Sequence, residues 1–452
     1  MKNNNLHITA SRLFKRIGAF QILKKIFSLL IGIKLFTACK TELQTTLSFT
    51  EIFTEPQTTL SFVVPETEIP QWESLIEKYR QKNPNIQIDL KKGEDTSDQL
   101  EERYISDFRK QNSELDLVYM DIIWVSRFAN NDWIMNLSNL VSKQEKKQLE
   151  QKFLKNDLQG GYYDNNLYRI PLLSDISVLY YRKDLLKNIR KQPPETFEDL
   201  IKISKKLQTQ GKVEEGYLWQ GRQYEGTVTV FIEILKGYSG FWIKPDTNEV
   251  GLDRPEAIDA VKFLRSMIEN KVSPRSVATD QEAETRSHFQ NGRAAFLRHW
   301  PDIWAQVNAQ NSDVYGKVGI QPMPGLHTKA NSKACQGGWG LGIAKNTEHP
   351  DEAWKAIQFF TSATAQRQFA LAGYMPSRRA LLTDPQLVKK YSHYPVLLES
   401  IENSVLRPPI PKYAEASAIL QEQLNKALKG KLSSRQAMKN AARKTRELLN
   451  NS

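Results

Sequence analysis

The sequence predicts an α/β protein built as two lobes, and three observations lead there. At 452 residues the chain exceeds what one hydrophobic core ordinarily organises. From about residue 58 to 121 the pattern alternates strand, helix, strand, helix, strand, which calls for a sheet covered by helices. A second alternation runs from Val178 to about Ile320, and the last hundred residues read as mostly helical. Apolar residues make up 40% and charged residues 25%, a soluble globular balance that sets aside a wholly disordered chain or a polytopic membrane protein.

The first 38 residues stand apart. They hold seven Lys/Arg and no acid, so the remainder carries 63 − 7 = 56 basic against 51 acidic residues. Most of the net charge of +12 therefore belongs to the N-terminus, and the residual is too small and dispersed to indicate nucleic acid. A basic stretch ending in Lys24 and Lys25, the apolar run 26–33 and LFTAC ending at Cys39 have the three parts of an export signal. Lys34 interrupts the apolar run, which is also too short for a good membrane-spanning helix. The site resembles a bacterial lipobox, which would make Cys39 the lipidated first residue, although Phe36 stands where that motif usually has Leu. An uncleaved anchor or a plain secreted chain are the alternatives. Next, QTTLSF occurs at 44–49 and again at 57–62. The second copy runs directly into Val63 and Val64, so it is assigned the first strand, and 39–57 is read as a tether.

Residues 72–82 then form a helix with Trp72, Leu75, Ile76 and Tyr79 on one face, stopping at Asn83 and Pro84. Residues 86–90 are a strand, 99–110 a helix and 115–120 a buried strand ending at Asp121. Pro171 forces an extended approach to VLYYR at 178–182, a strand by its aromatic and β-branched content. Asp175 lies between the two, in a joint between structural units. Residues 351–361 and 411–429 are amphipathic, and 433–449 closes the chain.

No catalytic signature appears. The six histidines form neither HExxH nor an i, i+4 pair, GGWGLG at 337–342 lacks the spacing and lysine of a phosphate loop, and no GxSxG exists. No catalytic residue, metal or cofactor is therefore expected, and Cys335 reads as a buried free thiol. What does appear is a set of aromatic, acidic and arginine residues at turns and strand ends: Asp121, Asp175, Trp300, Trp339 after two glycines, and Arg407 before two prolines. A sugar has apolar C–H faces that suit flat rings and a rim of hydroxyls that suits carboxylates and a guanidinium fork.

Taken in order, LDLVYMDIIW at 115–124, the stretch 167–185, WQGRQYEG at 219–226, GRAAFLRHWP at 292–301, GGW at 337–339 and RPPIPKY at 407–413 resemble the family 1 extracellular solute-binding proteins of bacterial carbohydrate ABC importers, nearest the trehalose/maltose-binding branch. The likeness runs from about Leu60 to the C-terminus. It implies the two-lobed, maltose-binding-protein-like (type II) periplasmic-binding-protein fold, with three hinge crossings near 174–176, 321–324 and 375–377. The lobes would be 58–173 with 323–374 and 175–320 with 377–452. It implies Glu68, Asp121 and Asp175 as acceptors of sugar hydroxyls, Trp300 as a stacking face, Gly338 and Trp339 as a wall and Arg407 as a fork, with Thr96 and Glu282 as weaker candidates. The partners implied are a sugar, membrane permease subunits with a cytoplasmic ATPase, and the membrane surface through a lipid anchor, for a monomer outside the cytoplasm. Two departures stand out: Leu173 and Asp302 occupy positions where close relatives have Tyr. They point to a ligand with less ring face and more hydroxyl, such as sucrose or glucosylglycerol; if both side chains turn away, trehalose or maltose remains. The competing readings are a glycoside hydrolase using Asp121 and Asp175, and a sugar-sensing receptor of the same fold.

Overall fold

A computed structural model of the chain describes residues 58–110 and 114–451. The expectations placed on 1–57, among them the export signal, Cys39 and the first copy of the repeat, lie outside the described residues. Thirteen strands are present among those described: β1 Thr58–Pro65, β2 Ile86–Gly93, β3 Leu117–Asp121, β4 Tyr162–Tyr163, β5 Asn166–Leu167, β6 Ile170–Ile176, β7 Val178–Arg182, β8 Glu215–Leu218, β9 Ile243–Lys244, β10 Glu249–Val250, β11 Ala294–His299, β12 Val318–Pro322 and β13 Gln336–Ile343. They make two main open sheets. In the first, β13 lies between β3 and β6, antiparallel to both. The parallel pair β1–β2 continues it, because the Asp116 N–H donates to the Ser61 carbonyl (2.9 Å) and the Ser61 N–H to Asp116 Oδ2 (2.8 Å). The second sheet has the order β12-β7-β11-β8. Helices back both sheets, giving two α/β lobes.

Local chemistry accounts for the first lobe. The second QTTLSF copy supplies β1, as expected, with Leu60, Phe62, Val63 and Val64 fully buried. The helix after it is Ile69–Lys82, starting earlier than its apolar face suggests because Pro70 fits a first turn that has no use for its N–H. Trp72 is the hub of this core: its ring meets Phe62, Tyr119, Phe360 and Phe369 edge-on at 5.1–5.4 Å. In the second lobe the helix Glu225–Gly237 is buried on almost every face, so it reads as a hydrophobic run without amphipathic rhythm.

The chain steps from one sheet to the other at Ser177, the single residue between β6 and β7. Ser177 is fully buried and its Oγ accepts the Cys335 N–H at 3.1 Å. Residues 174–176, near which the crossing is expected, complete β6 by pairing with β13, and the crossing follows at the next residue. The return runs from Pro322 to Gln336, and 375–377 passes beside β6, where the Ser174 N–H donates to the Met375 carbonyl at 2.9 Å. Cys335 is free and buried, and burial pushes its thiol up to about 12. The glycine-rich run is the start of β13, not a loop. Gly338 has φ +126°, and a Cβ there would sit 2.6 Å from the Leu173 carbonyl, so only glycine fits between the strands.

Candidate ligand-binding site

The two sheets present strand ends to one another, and the residues singled out from sequence gather there. Glu68 closes the 3-10 turn after β1. Asp121 ends β3 opposite Trp339, and Asp175 on β6 pairs with Gly337. From the second lobe, Trp300 follows directly on β11, and Glu282 opens the helix Glu282–Gln290. The lobes meet at Gly337: a Cβ built there would lie 3.4 Å from Asp175 Cβ and 3.7 Å from Trp300 Cζ3. Gly337 thus sits between an acid of one lobe and an indole of the other. Trp339 stacks on Tyr119 (5.0 Å, 27°) and stands edge-on to Trp124, leaving part of its ring uncovered.

Four placements differ in kind from a simple sugar contact. Thr96 is exposed at the start of the helix Ser97–Phe108, its hydroxyl on Gln99 Oε1 at 2.9 Å; the neighbouring Ser97 reaches Asp121 Oδ2 instead, at 2.8 Å. Both oxygens of Glu282 are engaged, one by Trp300 Nε1 (3.3 Å) and one by the Tyr224 hydroxyl (2.7 Å). The Arg407 guanidinium is buried and held by Glu225 Oε1 (2.8 Å), the Gln336 carbonyl (3.3 Å) and Asp121 (3.6 Å), leaving only its Nε without a partner. Leu173 points into the first core, whereas Asp302 faces the cleft.

The electrostatics are those of acids withdrawn from water. Burial pushes the Glu68 carboxyl up to about 7, against the nearby Tyr119 hydroxyl and a hydrogen bond from Trp72 Nε1 (3.3 Å), both of which lower it. Burial and then Glu282 push Asp302 up to about 6. Asp175 keeps some surface open to the cleft, yet it sits deep enough that burial, then Asp302, drives its carboxyl well above the ordinary range. The Tyr374 ring joins the same space, its hydroxyl near Glu68, Asp302 and Asp175. Desolvated carboxyls facing an indole are suited to accept hydrogen bonds from a neutral polyhydroxyl ligand, whose hydroxyls replace the lost water.

A pH dependence follows. Glu68 is only 6% exposed, and its folded-state value of about 7 lies above its ordinary 4.5. Between those values the folded chain binds the proton that the unfolded chain has released, so stability falls as pH rises through that window. At about 1.4 kcal/mol per unit the effect is at most about 3 kcal/mol. The ligand-free melting temperature should therefore rise from about pH 8 to about pH 5.5, and Glu68→Gln should flatten that slope. An identical slope in Glu68→Gln would assign the effect elsewhere.

Tyr224, Glu225, Ser97, Asp98, Asp302 and Tyr374 complete the site, and sequence reasoning does not nominate them. Tyr224 and Glu225 lie within WQGRQYEG, and Asp302 stands out in the sequence only as a departure. Nothing local marks Asp98, whose carboxyl is set near Glu225 of the other lobe and is pushed up to about 6 by burial and by Glu225.

The sequence profile described as "Bacterial extracellular solute-binding protein" matches residues 65–367. A solved structure described as "Maltose bound T. maritima MalE3" is similar at TM-score 0.79 and 30% identity, covering 86% of this chain and 100% of that one. The "Probable ABC transporter-binding protein" of Deinococcus radiodurans is 28% identical over 302 residues, 66% of this chain and 70% of its own length. The "Maltotriose-binding protein" of Pyrococcus abyssi is 23% identical over 371 residues, 80% of this chain and 75% of its own length.

Proposed function

Because the chain belongs to the bacterial extracellular solute-binding proteins, with their two-lobed, maltose-binding-protein-like α/β fold, we propose that it captures a disaccharide or a glucosyl compatible solute by closing its lobes on it. At the coarser level it is an exported, non-catalytic carbohydrate-binding component that delivers a sugar to the permease of an ABC importer. Its acids therefore bind and do not hydrolyse. The observation behind the finer reading is the meeting of Asp175 and Trp300 from opposite lobes at Gly337. Contacts from both lobes exist together only in the closed state, so a ligand spanning them shifts the population toward closure.

The sugars in view are trehalose, maltose, sucrose and glucosylglycerol. The maltose bound by the 30% identical protein supports a disaccharide. Asp302 adds an acceptor and Leu173 withdraws into the core, which favours sucrose or glucosylglycerol. Glu68, Asp121, Asp175 and Asp302 take hydroxyls, Trp300 and Trp339 supply ring faces, and Thr96, Gly338 and the free Nε of Arg407 flank them. We read the lobes as 58–173 with 323–374 and 175–320 with 377–452. Residues 1–38 would be removed and Cys39 lipidated, tethering a monomer to the membrane through 39–57.

Calorimetry against the four sugars, with small-angle scattering at saturation, tests this. Micromolar binding, worth about 8 kcal/mol, with a reduced radius of gyration is expected. No binding to any of the four, or an unchanged radius, would overturn it. For the tether, Cys39→Ser should release the protein from the membrane fraction; unaltered association would refute lipidation.

A further inference from the structure

Behind Trp300 lies a charge pair that the sugar never touches. Arg298 precedes it by two residues on the same side of the extended chain and is fully buried. Its guanidinium lies over the Trp300 ring, 4.4 Å from the centroid. Glu233 grips it through both carboxylate oxygens, while Gln220 Oε1 and Thr229 Oγ1 each accept from it at 3.1 Å. Gln220 in turn donates to the Arg298 carbonyl at 3.1 Å. The ring is also tied at its edge, since Trp300 Nε1 donates to Glu282 Oε1 at 3.3 Å.

A buried ion pair is a poor source of stability, because desolvating both partners offsets their attraction and apolar replacements often do as well. Its geometry here does something else. A guanidinium fixed by three side chains and seated over an indole removes that ring's freedom to turn, and it covers the inner face so that one face alone is left for a ligand.

We propose that Arg298, held by Glu233, is the positioning residue that fixes Trp300 as a single-faced stacking platform for one sugar ring. The proposal rests on the reading of this cleft as a sugar site. Ordering the ring in advance spares the ligand that cost on binding, and the stack itself belongs to the cation–π class.

The test pairs Arg298→Met with Glu233→Gln, so that no buried charge is orphaned, and examines the pair with Trp300 intact and with Trp300→Ala. In the absence of sugar, the near-ultraviolet circular dichroism contributed by Trp300 should collapse in the pair. Maltose affinity should fall about tenfold with Trp300 present and by less than about twofold in the Trp300→Ala background. Arg298→Lys, which keeps the charge and loses the plane, should give the same dichroism and affinity losses with a melting temperature near that of the parent, should the pair fold poorly. A persisting Trp300 signal, or equal affinity losses in both backgrounds, would overturn the proposal. Unchanged affinity in Trp300→Ala alone, or no binding of trehalose, maltose, sucrose or glucosylglycerol by the parent, would instead count against the sugar reading, and the ligand-free dichroism would still decide the positioning.

Discussion

Arg407→Ala is expected to lower the melting temperature by roughly 5–10 °C, the largest stability effect foreseen at the site. Its guanidinium stands between Glu225, Asp121 and the Gln336 carbonyl, with only 4% of its side chain exposed. Glu225 is further held by the hydroxyls of Tyr413 and Ser417. Removing the cation leaves two buried carboxylates facing Asp98 without their main counter-charge, and breaking such a pair from one side costs about 3–5 kcal/mol. The deficit should shrink as pH is lowered through about 6, because protonation of Asp98 removes its repulsion of the two stranded carboxylates. Arg407→Met combined with Glu225→Gln should recover much of the loss. Melting curves at neutral and mildly acidic pH check this. A melting temperature within about 2 °C of the parent would show that the guanidinium is dispensable to the fold.

Trp300→Ala and Asp175→Ala are expected to separate affinity from stability. Trp300 is half-buried, with Arg298 behind it and its ring edge close to Gly337. Its loss should weaken sugar binding by about 2–4 kcal/mol, the range of a buried aromatic anchor, with little change in melting. Were it core alone, unfolding would instead be eased by about 3–5 kcal/mol. Asp175 sharpens the contrast. Burial drives its carboxyl up, so the folded chain bears the cost of a desolvated acid that alanine does not. Asp175→Ala should raise the melting temperature of the free protein while binding falls by about 1–3 kcal/mol, as sugar hydroxyls lose their acceptor. Opposite movements of the two quantities are the signature. A depressed melting temperature with normal affinity in both variants would dissolve the site as described.

What can be read from sequence is what is written locally. Val63 and Val64 mark which QTTLSF copy is the strand, and the period of Trp72, Leu75 and Tyr79 marks the helix. The strand ending at Asp121 is equally plain. Contacts between distant segments leave no local trace. Arg407 looks like a free fork because its main partner, Glu225, lies 182 residues away in sequence. Glu282 looks like a ligand acid because neither Tyr224 nor Trp300 is its neighbour along the chain. The helix Glu225–Gly237 escapes an amphipathic reading because burial on nearly all sides erases the periodicity that reveals a helix.

The place of β13 also has a consequence for how the chain comes to be folded. It lies between β3 and β6 in the first sheet and is the last of that sheet to be synthesised, after every strand of the second. Until it arrives, β3 and β6 have no partner in common, and Tyr119 has no Trp339 to stack on. The second lobe waits longer still, because the helices Tyr413–Leu428 and Ser434–Asn450 that cover Glu225–Gly237 and Pro255–Glu269 come at the very end. The first core cannot close before Phe369 has been made, nor the second before the last two helices, and each must first meet the entropy of a very long loop. For a protein that works beyond a membrane, the later closure of the second lobe keeps that part of the chain threadable until almost all of it is available to cross.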